Sequence, residues 1–348
     1  MLGYQVMKIL VVDDDDIALA VATKILENDQ HEVVVAEDGE AALEILRSQN
    51  IQIVISDWNM PKMTGIELCR VLRSFPIIGY IYIIIVTSHT SKADMLEGLS
   101  AGADDFITKP FEPAELLLRV RNAERVLALE TTSMMLFSLA KLAESKDTDT
   151  GYHLERIRAY AQVLGEQVCA DPQMRTQLPA HFASMLYQTS PLHDIGKVGI
   201  PDYVLLKPDN LNDEEWKVMK RHPQIGAETL DACLKSYPGA VYLRMARDIA
   251  WAHHERWDGT GYPRGLAGQE IPLCARIVAL ADVYDALTTK RVYKVPISHE
   301  VSRGIILEGN GTHFDPMVVQ AFLAAEEKFI QIKNNITDED KKTNGQSS

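Results

Sequence analysis

Cysteine is scarce and unpatterned: the four residues Cys69, Cys169, Cys233 and Cys274 form no Cys-x-x-Cys pair. That spacing offers neither a zinc ribbon nor a disulfide framework, and it suits a reducing compartment. Surplus positive charge is missing as well. With 35 Lys and Arg against 49 Asp and Glu, the formal net charge is −14, which disfavours nonspecific binding to a nucleic-acid backbone. The most apolar stretch, Ile77–Val86, is too short to cross a bilayer and reads as a buried strand. The N-terminus lacks the basic-then-apolar pattern of a signal peptide. These absences make a cytoplasmic protein without a membrane span or direct DNA binding the expectation. What remains is ordinary for a globular chain: 348 residues, 46% hydrophobic and 24% charged, enough for two or three domains.

The first third alternates short apolar runs with amphipathic segments. Lys8–Val12, Val33–Ala36, Ile51–Ser56, Tyr80–Thr87 and Asp105–Thr108 read as strands, and Ile17–Asn28 and Ile66–Ser74 carry helical spacing. Five strand–helix repeats predict an α/β domain built on a doubly wound, parallel, five-stranded sheet. From Pro113 to about Lys146 the pattern is helical without an internal Gly or Pro. Either the last helix of this domain runs on as a signalling helix, or it breaks near Thr131–Ser133. Beyond residue 134 helical patterns dominate, so the second domain is expected to be all-α. The segment from Lys333 to Ser348 is polar and charged and reads as a disordered tail.

Four features fall at the carboxyl ends of the strands: Asp13–Asp16, Ser56-Asp57, Thr87-Ser88 and Lys109-Pro110. In a doubly wound sheet those ends form the ligand crevice. Clustered carboxylates there suit a hard cation such as Mg²⁺, and a lysine would offset charge on a phosphoryl group. Taken singly, Asp after a strand is often a helix cap and Lys before Pro a turn. Together, Val11-Val12-Asp13-Asp14, Asp57-Trp58-Asn59-Met60-Pro61 with Gly65, Thr87-Ser88 and Lys109-Pro110-Phe111 resemble response-regulator receiver domains over about residues 7–126. The resemblance implies a flavodoxin-like strand order 2-1-3-4-5 and phosphorylation of Asp57 by a histidine kinase. It implies Mg²⁺ held by Asp13, Asp14, Asp57 and the Asn59 carbonyl. Thr87, Phe106 and Lys109 would be the switch and phosphoryl-contacting residues, with a cis Lys109-Pro110 bond.

The second half is rich in potential metal ligands. His153, His193-Asp194, His222, His253-His254 and Asp282 mix imidazole with carboxylate, a set suited to Fe, Mn or Zn and too large for one tetrahedral ion. Two neighbouring cations can clamp the attacking and leaving oxygens of a phosphodiester. His31, His89, His181 and His299 read as ordinary histidines, and a lone His222 before Pro would be a packing residue. The series as a whole resembles HD-GYP domains over about residues 134–326. The matching pieces are Thr150-Gly151-Tyr152-His153, His193-Asp194-Ile195-Gly196-Lys197, His222-Pro223, His253 to Pro263, Ala281-Asp282-Val283-Tyr284-Asp285 and Thr312-His313-Phe314-Asp315-Pro316.

That resemblance implies an all-α HD-type domain at about 134–332, reached through a helical linker at 127–147. It implies hydrolysis of cyclic di-GMP to pGpG or GMP on two cations, Fe or Mn. The ligands would be His153, His193, Asp194, His222, His253, His254 and Asp282. A third cation would require Asp149, one methylene shorter than the Glu of many relatives. Asp194 and Lys197 would be catalytic, and Lys197, Tyr262, Arg291 and Lys294 would contact the dinucleotide. A homodimer and contact with diguanylate cyclases are further expectations. The competing readings are a non-catalytic adaptor that binds cyclic di-GMP or a cyclase, and a hydrolase for another cyclic dinucleotide such as cyclic GMP-AMP.

Overall fold

The computed structural model of the chain describes residues 6–74, 80–88, 91–146, 152–179, 181–289 and 296–337. It divides into two units, Met1–Thr132 and Ser133–Ser348.

In the first unit, β1 (Lys8–Val12), β2 (Glu32–Ala36), β3 (Ile53–Asp57), β4 (Tyr82–Thr87) and β5 (Asp105–Thr108) alternate with α1 (Asp16–Asn28), α2 (Gly39–Ser48), α3 (Gly65–Ser74) and α4 (Lys92–Ala101), and α5 (Pro113–Glu144) follows. All strand pairs are parallel, in the order β2-β1-β3-β4-β5. The apolar runs are continuous rather than alternating because both faces of the sheet are covered. Leu10, Val12, Val54, Ile83 and Ile85 face α2 and α3, meeting Ala42, Leu46, Leu68 and Leu72. Their neighbours Ile9, Val11, Ile53, Ile55 and Ile84 pack with Leu19 and Leu26 of α1 and Leu116 and Val120 of α5. Asp15, Asp38 and Ser91 cap α1, α2 and α4 by accepting from Ile17, Ala41 and Asp94 backbone N–H groups.

Expected and observed strands agree in number, order and direction. β3 and β4 begin two residues later than their apolar runs, because Ile51 and Ile81 are buried without joining the ladder. The alternative of a break near Thr131–Ser133 is not adopted. α5 is continuous, and the Thr131 hydroxyl bonds back to the Leu127 carbonyl at 2.9 Å rather than capping a new helix. By length and composition α5 could also cross a membrane. The expectation of no membrane span rested on Ile77–Val86, and α5 is a longer apolar segment than that stretch. Polar residues broke up the apolar run in α5 without lowering its average enough. Here its early turns are packed through Leu116, Val120, Ala123 and Leu127.

The second unit is helical: α6 (His153–Ala170), α7 (Pro172–Gln177), α8 (Phe182–Thr189), α9 (Asp202–Leu205), α10 (Asp213–Met219), α11 (His222–Ser236), α12 (Val241–Ala252), α13 (Leu273–Thr288), α14 (His299–Glu308), α15 (Pro316–Ala324) and α16 (Glu326–Asn335). Two tight 3₁₀ turns, Ser190–Leu192 and Ile195–Gly199, flank His193-Asp194. The core joins α6, α13, α15 and α16. Tyr160 stacks on Phe329 at 4.5 Å and meets Tyr284 edge-on at 5.3 Å. α16 extends to Asn335, so helix continues for three residues into the stretch read as a tail. Of that tail, residues 338–348 lie outside the described residues.

Candidate functional site

The sheet register brings the carboxyl ends of β1, β3, β4 and β5 level. Val12 lies beside Ser56, Asp57 beside Val86, and Thr87 beside Thr108. The residues just beyond therefore converge. Lys109 Nζ reaches Asp13 Oδ2 at 2.7 Å and Asp57 Oδ1 at 2.5 Å, and its backbone N–H donates to the Thr87 carbonyl. Asp57 Oδ2 accepts from Asn59 N–H, and Asp13 Oδ1 from Asp15 N–H. Burial pushes the Asp57 carboxyl up, with Lys109 opposing. Burial acts against the Lys109 charge too, but Asp13 and Asp57 outweigh it and raise its pKa. Asp14 is exposed, Thr87 is buried, and the Phe106 ring lies where a Cβ on Gly98 would be. Gly65 has a specific reason: a Cβ there would sit 2.1 Å from the Asp57 carbonyl oxygen. The Lys109-Pro110 bond is cis.

In the second unit, ligand atoms of Asp194, His222, His253 and His254 all lie within 4.8 Å of one another, and those of His153, His193 and Asp282 do the same. The helices arrange this through the far side of each ring. His193 Nδ1 donates to the Ser190 carbonyl at 2.9 Å, His222 Nδ1 to Met219 at 2.8 Å, and His253 Nδ1 to Ile249 and Ala250 at 3.1 Å. Each bond fixes the tautomer and aims Nε2, with its lone pair, at the cavity. There the three Nε2 atoms meet Asp194: 3.1 Å from His222 and 3.5 Å from His253 to Oδ1, and 3.4 Å from His193 to Oδ2. Those three nitrogens and Asp194 Oδ1 are buried without a hydrogen-bond partner. Acceptors crowded against acceptors are costly to bury unless a proton or a cation comes between them. A divalent cation resolves that conflict, so the donor set fits a metal.

Charge at the site follows the same logic. Burial raises Asp194, yet Lys197, at 2.8 Å, and the surrounding imidazoles hold it well below the usual carboxylate range. Burial lowers His193, but Asp194 more than compensates and brings it up to about 9. His253 and His254 are both pushed down, first by burial and then by neighbouring imidazoles. Gly196 lets this cluster close: a Cβ there would lie 2.0 Å from the His222 carbonyl oxygen and 2.5 Å from Gly226 N.

His153 is oriented differently. Its Nδ1 bonds Asp285 Oδ2 at 2.8 Å, while Nε2 lies 3.8 Å from Asp282 Oδ1. Asp285 is itself gripped by Arg156, through Nε at 2.6 Å and Nη2 at 3.2 Å, and is buried. Arg156 follows His153 by one turn, as Asp285 follows Asp282. The i, i+3 spacing on α6 and α13 was the available signal for this pair, which the sequence reading left without a role at the site. Asp285→Asn is expected to weaken Mn²⁺ binding about 10–100-fold. Titration of the metal-free protein followed by electron paramagnetic resonance checks it; unchanged affinity would reject the orienting role.

The cavity is about 280 Å³ and is lined by His153, His193, Asp194, Lys197, His222, His254, Tyr262 and Asp282. Tyr262 stacks on His254 at 4.7 Å with Lys220 5.4 Å from its ring, and its bond to Pro263 is cis. Buried Glu255 shapes this loop by accepting from Arg264 and Leu266 N–H groups, another role the sequence reading missed. Glu144, also missed, stands in the cavity wall. Asp149, Arg291 and Lys294 lie outside the described residues.

Residues 9–121 match the response regulator receiver domain, and residues 138–318 match the HD domain. A probable cyclic di-GMP phosphodiesterase of Vibrio cholerae serotype O1 is 39% identical, over 95% of this chain and 80% of its own. The cyclic di-GMP phosphodiesterase response regulator RpfG of Xanthomonas campestris pv. campestris is 34% identical, over 94% and 89%. A 3'3'-cGAMP-specific phosphodiesterase of Vibrio cholerae is 37% identical over 60% of this chain and 38% of its own. The divalent-cation donor set described above lies in the HD part, the cluster of Asp13, Asp57 and Lys109 in the receiver part. With both matched in one chain, it belongs to the response regulators that join a receiver domain to an HD domain.

Proposed function

We propose that this response regulator hydrolyses cyclic di-GMP to pGpG or GMP in its HD domain, under control of phosphorylation at Asp57. The observation that carries the catalytic half is the ring of buried, unpartnered acceptors around Asp194. On this reading His222, His253, His254 and Asp194 would hold one cation, and His153, His193 and Asp282 would hold a second beside it. Fe or Mn is the proposed metal, given mixed imidazole and carboxylate ligation. Such a pair lowers the pKa of a bound water and offsets phosphodiester charge. Asp194, kept ionised, accepts hydrogen bonds from the attacking water and orients it. Lys197 Nζ, tethered by Asp194, donates to a phosphate oxygen and steadies the leaving oxygen. Tyr262 and Trp216 border the cavity and offer faces on which a purine can stack. Arg291 and Lys294 are proposed to clamp the dinucleotide, as the family resemblance implies.

In the receiver, Asp13, Asp14, Asp57 and the Asn59 carbonyl are the proposed Mg²⁺ ligands, with a histidine kinase as phosphodonor. Phosphorylation adds charge beside Thr87 and Lys109, and Phe106 relays the change. A homodimer and contact with diguanylate cyclases remain part of the proposal, as does a cytoplasmic location, which suits the free cysteines Cys69, Cys169, Cys233 and Cys274.

The test is hydrolysis of cyclic di-GMP by protein loaded with Fe²⁺ under anaerobic conditions or with Mn²⁺. Turnover is expected, with a rate altered by a phosphoryl analogue in the wild type but not in Asp57→Asn. A fully loaded protein that binds the nucleotide without turnover would favour the adaptor reading. The cGAMP-specific relative supports a second substrate reading. Competition between cyclic di-GMP and 3'3'-cGAMP in the same assay separates the two.

A further inference from the structure

We propose that Glu144 is an additional carboxylate of the metal centre, holding through a bridging water the cation on the His153, His193 and Asp282 side. This rests on the reading of that cluster as a metal site. Glu144 is the last residue of α5 and belongs, with Ser133 onward, to the second unit. Its position is imposed by the helix. Ala140 and Ala143, one turn and one residue earlier, are buried on the same face, and Ala140 packs with Leu154, Leu192 and Ala250. Small side chains at both positions let the helix sit close, and this brings Glu144 into the wall of the cavity shared by His153, His193 and Asp282.

Its carboxylate is in an unfavourable place for an acid with no role. The residue is half-buried, and its Oε1 is sealed from solvent without a hydrogen-bond partner. Lys141, one turn back, is paired with Glu155. The positive influences on Glu144 come first from the His153 and His193 rings, while burial pushes its carboxyl up to about 7. Ionisation with one oxygen buried and unpartnered is costly. A cation in the cavity supplies what is missing. The ligand atoms of His153, His193 and Asp282 cluster within 4.8 Å of one another without Glu144, so a water completes the link. Glu144 stands on α5, five residues before Asp149, and is a carboxylate separate from the one the family resemblance brings to a third cation.

The test is Mn²⁺ titration of the metal-free full chain, wild type against Glu144→Gln, read by electron paramagnetic resonance and by thermal melting. One Mn²⁺ site is expected to weaken about tenfold or more in the variant. Metal-free Glu144→Gln is expected to melt no lower than metal-free wild type, while the rise in Tm on adding Mn²⁺ shrinks. Equal Mn²⁺ affinities overturn the proposal. So does a variant whose metal-free and loaded forms lose stability equally, since that is a packing role. A wild type that takes up no Mn²⁺ sinks the metal-centre reading and this proposal together; two normal sites in an unaffected variant sink this proposal alone.

Discussion

Asp194→Ala is expected to lower hydrolysis of cyclic di-GMP by at least about 10³-fold, as several kcal/mol of metal-borne transition-state stabilisation disappears. Asp194 is the residue that both ligand groups approach, with His222 and His253 nearest one oxygen and His193 and Lys197 nearest the other. Removing it unlinks the two halves and frees Lys197. Three candidate ligands remain on each side, so the substitution is expected to cost more in turnover than in total Mn²⁺ bound. Steady-state rates at saturating Mn²⁺, together with bound-metal counts, decide the matter. Turnover within tenfold of wild type would remove Asp194 from its assigned role.

Gly196→Ala is the second large effect, and its cause is steric. The added methyl would meet the His222 carbonyl oxygen at 2.0 Å and Gly226 N at 2.5 Å, both backbone atoms on α11. Neither can swing aside as a flexible side chain would. The 3₁₀ turn carrying Lys197 must therefore move off the helix that carries His222. Overpacking of this kind costs about 3 kcal/mol or more, and the strain falls between two ligand-bearing segments. The expected result is loss of Mn²⁺ binding with a lower melting transition of the HD domain. Phosphoryl-analogue binding by the receiver should persist, since its core is made by separate residues. A variant that binds Mn²⁺ with wild-type affinity would show that the turn tolerates the methyl and that the close approach is not needed.

Much of the molecule was legible from residue order. The sheet could be read because both-face burial in a parallel sheet demands continuous apolar runs, and Ile83, Ile84 and Ile85 supply one. The chemistry could be read because His193-Asp194 and His253-His254 are adjacent in sequence, and adjacency survives folding. The elements read less well where sequence patterns are degenerate. A helix 32 residues long has no internal signal that forbids a break, and α5 is unbroken, with Thr131 bonding back to Leu127.

Residue order by itself determined which side chains could bind a cation and which aspartate follows β3. Tertiary structure alone decided how the candidate ligands divide into two groups, that Asp285 and Arg156 aim His153, and that Glu144 enters the cavity wall. His153 and Asp285 are 132 positions apart, and each is brought to the other by the packing of α6 on α13. The reason is physical: a ligand's identity is local chemistry, whereas its direction and its charge depend on atoms supplied by distant helices.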